Sequence, residues 1–399
     1  WGSHLIGRKA IPGYERDDIS RVLYDYLSGQ TGWLAKMEAS KDFTTLLGQM
    51  RSTKKPGLWS YSANYVEDML RNADRVDRIV GNMKAAAFLY FLGGNLKTAV
   101  VNLTQNIVVG VPMLHMAVKG PAVGYWKAAL NTLGKQVFTR SKFSSGHGLS
   151  EEEARMLNDL YMEDVTTEGY LRDIRGRIGS RGSRIFGKVM RVAGYFMEVA
   201  ERFNRASLAL AAYRTARDGR LNDKAQDKLG ISGKDTPSQA KAYAAALVKD
   251  AHYVYGKDNL PEPLRHSQAG RVLAPVYTFR AFSHNYISGL LHAIKSRGAA
   301  GWAMAARSIG AMITLGGLTS IPFYASVMAL CQAVSGDDDD WTDLIRRALP
   351  DADWLRDMVC YGLPSLGGVY LGGSLRIETP LERGIKPGAT PKEILTSSL

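Results

Sequence analysis

The chain has 399 residues, 45% of them hydrophobic and 22% charged, so it can bury a sizeable core and is too apolar to be a disordered tail. Lys and Arg number 51 against 38 Asp and Glu, a net charge of +13. That surplus suits nucleic acid or anionic lipid through general attraction, or else serves solubility alone. The two cysteines, Cys331 and Cys360, give neither a disulfide framework nor a C-x-x-C pair.

The first residue is Trp1, and Arg8, Lys9, Glu15 and Arg16 interrupt any signal-like apolar run; the chain reads as a piece of a longer one. Asp17 or Asp18 is placed to cap a helix with Ile19, Val22, Leu23, Tyr26 and Leu27 on one side. A second helix is expected from about Asn64, with Val66, Leu70, Ala73, Val76 and Val80 inward and the i,i+4 pairs Glu67–Arg71 and Asp74–Arg78 outward. Next comes FLGGNLKTAVVNLTQNIVVGVP (91–112), apolar yet studded with Asn95, Asn102, Thr104, Gln105 and Asn106.

Ser150–Glu153 spells a capping box, and so does Thr236–Gln239 with Pro237 at the first helical position. The helix after Thr236 is expected to end at Gly256, and one starting near Pro275 at Gly298. Between the two boxes lies the strongest periodicity. Ile185, Val189, Val192, Phe196, Val199, Phe203, Ala206, Leu210 and Tyr213 follow a 4-3 spacing, which predicts a helix about 43 Å long. This seam fits the central helix of a bundle or an oligomer contact. Loops are expected at 139–148, 218–235 and 256–270, and only SLRIET (374–379) alternates like a strand. The reading is an all-α, elongated multi-helix bundle in four regions. These are an N-terminal helical segment (1–63), a core with the long heptad helix (64–218), a hairpin or linker region (219–274) and an apolar C-terminal region with a Gly-rich tail (275–399).

Three windows carry no charge: Thr98–Val118, Ser308–Gly336 and Met358–Leu375. Each is about long enough for a hydrocarbon core of roughly 30 Å, but amides, glycines and prolines interrupt all three. They fit buried helices of a large soluble assembly, or segments that enter lipid only in one state, where small residues and amides hold helix to helix. A basic strip, Arg172, Arg175, Arg177, Arg181, Arg184, Lys188 and Arg191, faces a single acid, Asp173. Such a strip neutralises phosphates without sequence preference, or stands as a solvated loop.

Catalytic patterns are missing. Ser52-Thr-Lys-Lys55 fits S-x-x-K with no K-T-G after it, and the seven histidines form no H-E-x-x-H. Asp337–Asp340 has Thr342 where a calcium loop needs Gly. Glu198 and Glu201 stand beside Arg202 and Arg205, which reads as ion pairing on a helix. No enzyme, cofactor or metal site is expected.

The segment 91–112 resembles the Asn- and Gln-bearing segment of large polyvalent proteins of tailed phages and conjugative elements, and the C-terminal portions of giant phage internal virion proteins. MEVAERFNRASLALAAYR (197–214), GRVLAPVYTFRAFSHNYISGLL (270–291) and YGLPSLGGVYLGGSLRI (361–377) continue the resemblance in order. It implies an all-helical, non-catalytic module delivered with the genome, helping to form a conduit through the host envelope. Its partners would be other virion proteins, double-stranded DNA, the host inner membrane in one state, and copies of itself. The alternatives are a nucleic-acid-binding module of a mobile-element polyvalent protein and an integral membrane protein fragment.

Overall fold

The computed structural model describes residues 19–51, 55–71, 74–91, 96–136, 143–167, 192, 194–229, 236–253, 260–321, 324 and 346–371. They are overwhelmingly helical, and among them only two isolated bridges, Val118 with Leu221 and Gly146 with Leu149, have β character. The fold is all-α. The chain divides into two compact units, Trp1–Asp74 with Pro261–Gly270, and Arg75–Leu260 with Arg271–Leu399. Neither unit is a continuous stretch of the chain.

The first unit contains α1 (Ile19–Arg51), α2 (Pro56–Leu70) and, from the later segment, α11 (Glu262–His266). Its tightest point is polar. Asp68 and Arg265 are 2% and 1% exposed, with Arg265 Nε donating to Asp68 Oδ2 at 2.9 Å. The guanidinium lies 4.5 Å from the Tyr65 ring centroid, and Asn64 donates to Glu262 at 2.7 Å. Burial makes the pairing necessary: an arginine in such a spot needs its charge answered, and the Tyr65 ring face adds a cation–π contact.

The second unit holds α3 (Arg75–Phe91), α4 (Leu96–Leu103), a π-helical turn (Asn106–Gly110), α5 (Val111–Ala117), α6 (Ala122–Leu133) and α7 (Glu151–Met162). It continues with α8 (Tyr195–Arg217), α9 (Asp223–Leu229), α10 (Pro237–His252), α12 (Gln268–Arg297), α13 (Ala299–Gly316) and α14 (Asp353–Tyr361). Helix α8 is the axis, packed by α10, α6 and α4. Ten consecutive residues, Asn204 to Tyr213, are buried, so this stretch has no solvent face. The run Ala206, Ala209, Ala211 and Ala212 explains it, because small side chains let neighbouring helices close in from every direction.

The helix expected from Asn64 to Val80 is instead two. The first ends at Leu70 and the second starts at Arg75; Asp74, an N-cap residue type, precedes α3 and pairs with Arg71 at 3.0 Å, and Ala73 lies outside the described residues. Helix α12 does end at Gly298, but it starts at Gln268 and runs through Pro275. Helix α10 stops at His252 rather than Gly256. Both capping boxes form as spelled, Ser150 with Glu153 and Thr236 with Gln239. The second box is exposed. In the first, the Glu153 carboxylate also takes Arg214 at 2.6 and 3.1 Å, tying the start of α7 to α8.

Two of the uncharged windows are not single helices. Helix α13 ends at Gly316 and α14 at Tyr361, each followed by a glycine at positive φ, Gly317 (65°) and Gly362 (87°), and a short 3-10 turn. A Cβ at Gly317 would lie 2.3 Å from the Cys360 carbonyl, and one at Gly362 2.5 Å from that of Leu315. The two helix ends cross backbone on backbone, which only glycine allows. The first window does persist: Thr98–Ala117 has the length and apolarity to cross a membrane, and half of it is buried inside the protein.

Candidate functional site: an amide-centred polar core

The amide segment owes its shape to Pro112. In an α-helix the Val108 carbonyl would accept from residue 112, but proline has no N–H and its ring crowds that carbonyl. The backbone widens into the π turn Asn106–Gly110, whose Asn106 carbonyl accepts from Val111 N–H, five residues on. The Val108 carbonyl is then served from another helix by the Ser308 hydroxyl of α13. Tyr286 of α12 donates in turn to Ser308 Oγ at 2.7 Å.

Asn106, fully buried, is the hub. Its Nδ2 donates to the Asn204 carbonyl at 2.8 Å and to Ser207 Oγ at 3.1 Å, both on α8. Its Oδ1 faces His252 Nε2 of α10 at 2.9 Å, which fixes the imidazole as the Nε2–H tautomer because an amide oxygen only accepts. Burial, and then the Arg205 charge, holds His252 well below the usual histidine range, so the ring is neutral. Its Nδ1 has no hydrogen-bond partner among the described residues. Nearby, Asn204 Nδ2 donates to Asn102 through both the backbone carbonyl and Oδ1, and Gln105 Nε2 donates to the Ala251 carbonyl at 3.1 Å.

Beside this hub lies a buried ion pair. Glu201 and Arg205, at 9% and 3% side-chain exposure, meet at 2.8 Å. Arg205 spends its remaining donors on the carbonyls of Val165 (3.3 Å), His252 (3.4 Å) and Tyr253 (3.3 Å). The last two lie at the C-terminal end of α10, where carbonyls lack intrahelical partners and the helix dipole favours a cation. Arg205 therefore closes α10 where no glycine cap is present; Tyr253 itself has φ 46°.

Of the residues singled out from sequence, Asn102 and Gln105 join this network, while Asn95 and all of Arg172, Arg175, Arg177, Arg181, Arg184, Lys188 and Arg191 lie outside the described residues. So do Ile185 and Val189 of the heptad seam. The rest of the seam divides. Ala206, Leu210 and Tyr213 are core, Phe203 packs against the core, Val199 is half-buried, and Phe196 and Val192 are 46% and 76% exposed. The buried half serves packing within the chain. Sequence reasoning missed Asn204, Ser207, His252 and Ser308 as partners. The available signal was the polar Glu201, Asn204 and Arg205 set between seam residues on an otherwise alanine-rich helix.

Among the described residues no three His, Cys, Asp or Glu side chains gather as a metal site would require. Cys360 is a buried free thiol. The polar groups of the hub bind each other and the backbone, and what they can do chemically is hold three helices in one register. Comparison with protein families, with characterised proteins and with solved structures finds no match to this chain.

Proposed function

We propose that the chain is a non-enzymatic structural module of a large internal virion protein of a tailed phage, delivered with the genome and helping to form the conduit for DNA across the host envelope. Its partners in this reading are other virion proteins, double-stranded DNA without sequence preference, further copies of itself and, in one state, the host inner membrane. It would sit in the virion interior first and in the host envelope during infection.

The observation that carries this reading is the state of the segment 98–117. It is long and apolar enough to cross a bilayer, yet Asn102, Gln105 and Asn106 are tied to α8 and α10 by hydrogen bonds. Amides held by exchangeable partners let one segment stay inside a water-soluble bundle and later pair helix to helix in lipid, where unsatisfied polar groups are not tolerated. A permanently inserted span would have no need of them. The order of the four family-like segments supports the same assignment.

Mass spectrometry of purified phage particles tests it. Peptides from this chain inside washed particles, lost from the particle after genome ejection, are the expected result. A chain present only in the infected-cell cytoplasm would favour the mobile-element alternative and sink the virion reading.

A further inference from the structure

No Asp or Glu occurs between Glu262 and Asp337, and the helical hairpin α12–α13 lies wholly within that stretch. Its charges are all positive: Arg271, Arg280, Lys295, Arg297 and Arg307. Arg271 is answered by Asp77 at 3.2 Å. Lys295, Arg297 and Arg307 have no ion pair among the described residues, and Lys295 and Arg307 are exposed. The hairpin turns tightly at Gly298 (φ 54°), with Gly301 against the Ala293 carbonyl. Within about two helical turns of that tip, Trp302 and Leu291 are 64% and 62% exposed.

We propose that the tip of the α12–α13 hairpin is a docking element for an anionic lipid surface. Trp302 and Leu291 would enter the headgroup boundary while Lys295 and Arg297 meet lipid phosphates, with the exposed Arg307, about two and a half turns behind Gly298, adding longer-range attraction. The proposal rests on the membrane contact in the reading above, but not on the virion part of it. Tryptophan suits the interface, with an apolar body and one N–H donor, and an exposed leucine suits the apolar side of it. Cations near an anionic surface each add about 1 kcal/mol of attraction, and here no carboxylate on the same hairpin repels the phosphates. A basic patch for nucleic acid would share the cations, but phosphate contact gives no reason to expose Leu291 and Trp302 as well. The hairpin is anchored behind its tip, because Tyr286 and Ser308 are buried and bonded to each other. Docking therefore needs no unfolding of the core.

The test is co-sedimentation of the full chain with vesicles of phosphatidylglycerol and phosphatidylethanolamine, against vesicles of phosphatidylcholine alone. Wild type is expected to pellet with the anionic vesicles and far less with the neutral ones. The triple variant Lys295→Gln, Arg297→Gln, Arg307→Gln should lower the partition coefficient roughly 100-fold. Trp302→Phe, a folded control at an exposed site, should remove a distinct part of the fluorescence quenched by brominated lipid.

If wild type ignores both vesicles, this proposal and the membrane contact of the broader reading fail together. If wild type binds but the triple variant binds equally, or Trp302→Phe leaves the quenching unchanged, the contact lies elsewhere and only this proposal fails. Loss of DNA retention by the triple variant with vesicle binding intact would reassign the surface to nucleic acid and overturn the lipid assignment.

Discussion

The amide segment 96–117 and the α12–α13 hairpin are alike in composition and opposite in use. Both are apolar, rich in small residues and poor in charge. In the first, each described amide finds a partner on α8 or α10, and the segment is locked into the core. In the second, Ser308 and Tyr286 bond to each other at its back and Arg271 meets Asp77 near its start, while Trp302, Leu291, Lys295 and Arg307 are exposed. Apolar composition alone does not say which segment is core and which is surface. What separates them is where the polar groups find their partners.

This comparison breaks first at the ion pair. Arg205→Met should cost about 3–5 kcal/mol, because it leaves Glu201 charged and buried without a partner. The double change Glu201→Met with Arg205→Met should recover much of that loss in urea denaturation. If the single and double variants are equally unstable, the lost carbonyl contacts at the end of α10 matter more than the pair.

Next comes the hub. Asn106→Ala strands the His252 Nε2–H and the groups of α8 that the amide served, and should lower stability by about 2–4 kcal/mol. Thermal melting with a change under about 0.5 kcal/mol would show that the helices hold register without it.

The pH dependence is smaller and has a definite sign. His252 is kept neutral in the fold, so the unfolded chain takes its proton near pH 6.5 while the folded chain does not until well below. The stability is therefore complete above about pH 6.5 and is lost as pH falls, by at most about 1.4 kcal/mol per unit. His252→Gln keeps an N–H donor and removes the titration. Its stability between pH 6.5 and 5 should fall less steeply than that of wild type, and parallel curves would place the acid sensitivity on other groups.

The smallest effect belongs to the other side of the comparison. Trp302→Ala should leave the melting midpoint nearly unchanged, within about 0.5 kcal/mol, since its ring is exposed. A large loss would mean that the hairpin tip is core after all.

Much of the architecture was legible locally. The Ser150 and Thr236 capping boxes, the Gly298 stop and the all-helical periodicity each depend on residues within a few positions of one another, and each formed. The boundary at 71–74 and the passage of α12 through Pro275 were not legible, because a cap residue inside a periodic run and a proline near a helix start are both settled by what packs around them. Asn102 and Gln105 could be picked out as polar residues in an apolar run. Asn204 stood out only as one polar residue on an alanine-rich helix, and Ser207, His252 and Ser308 not at all, since nothing local marks a residue about a hundred or more positions away as the partner of an amide.

By itself the sequence determined the all-helical class, the two capping boxes, the glycine that ends α12, and the one-sided charge of the stretch between Glu262 and Asp337. These follow from short-range sterics, hydrogen bonding and composition. Only the tertiary structure decided that the middle of α8, Asn204 to Tyr213, is buried on every face, that Pro112 opens a π turn whose carbonyl Ser308 completes, and that Trp302 stays outside. Burial and polar pairing join residues distant in sequence, and whether an apolar helix becomes core or surface is set by which distant partner reaches it first with the right group.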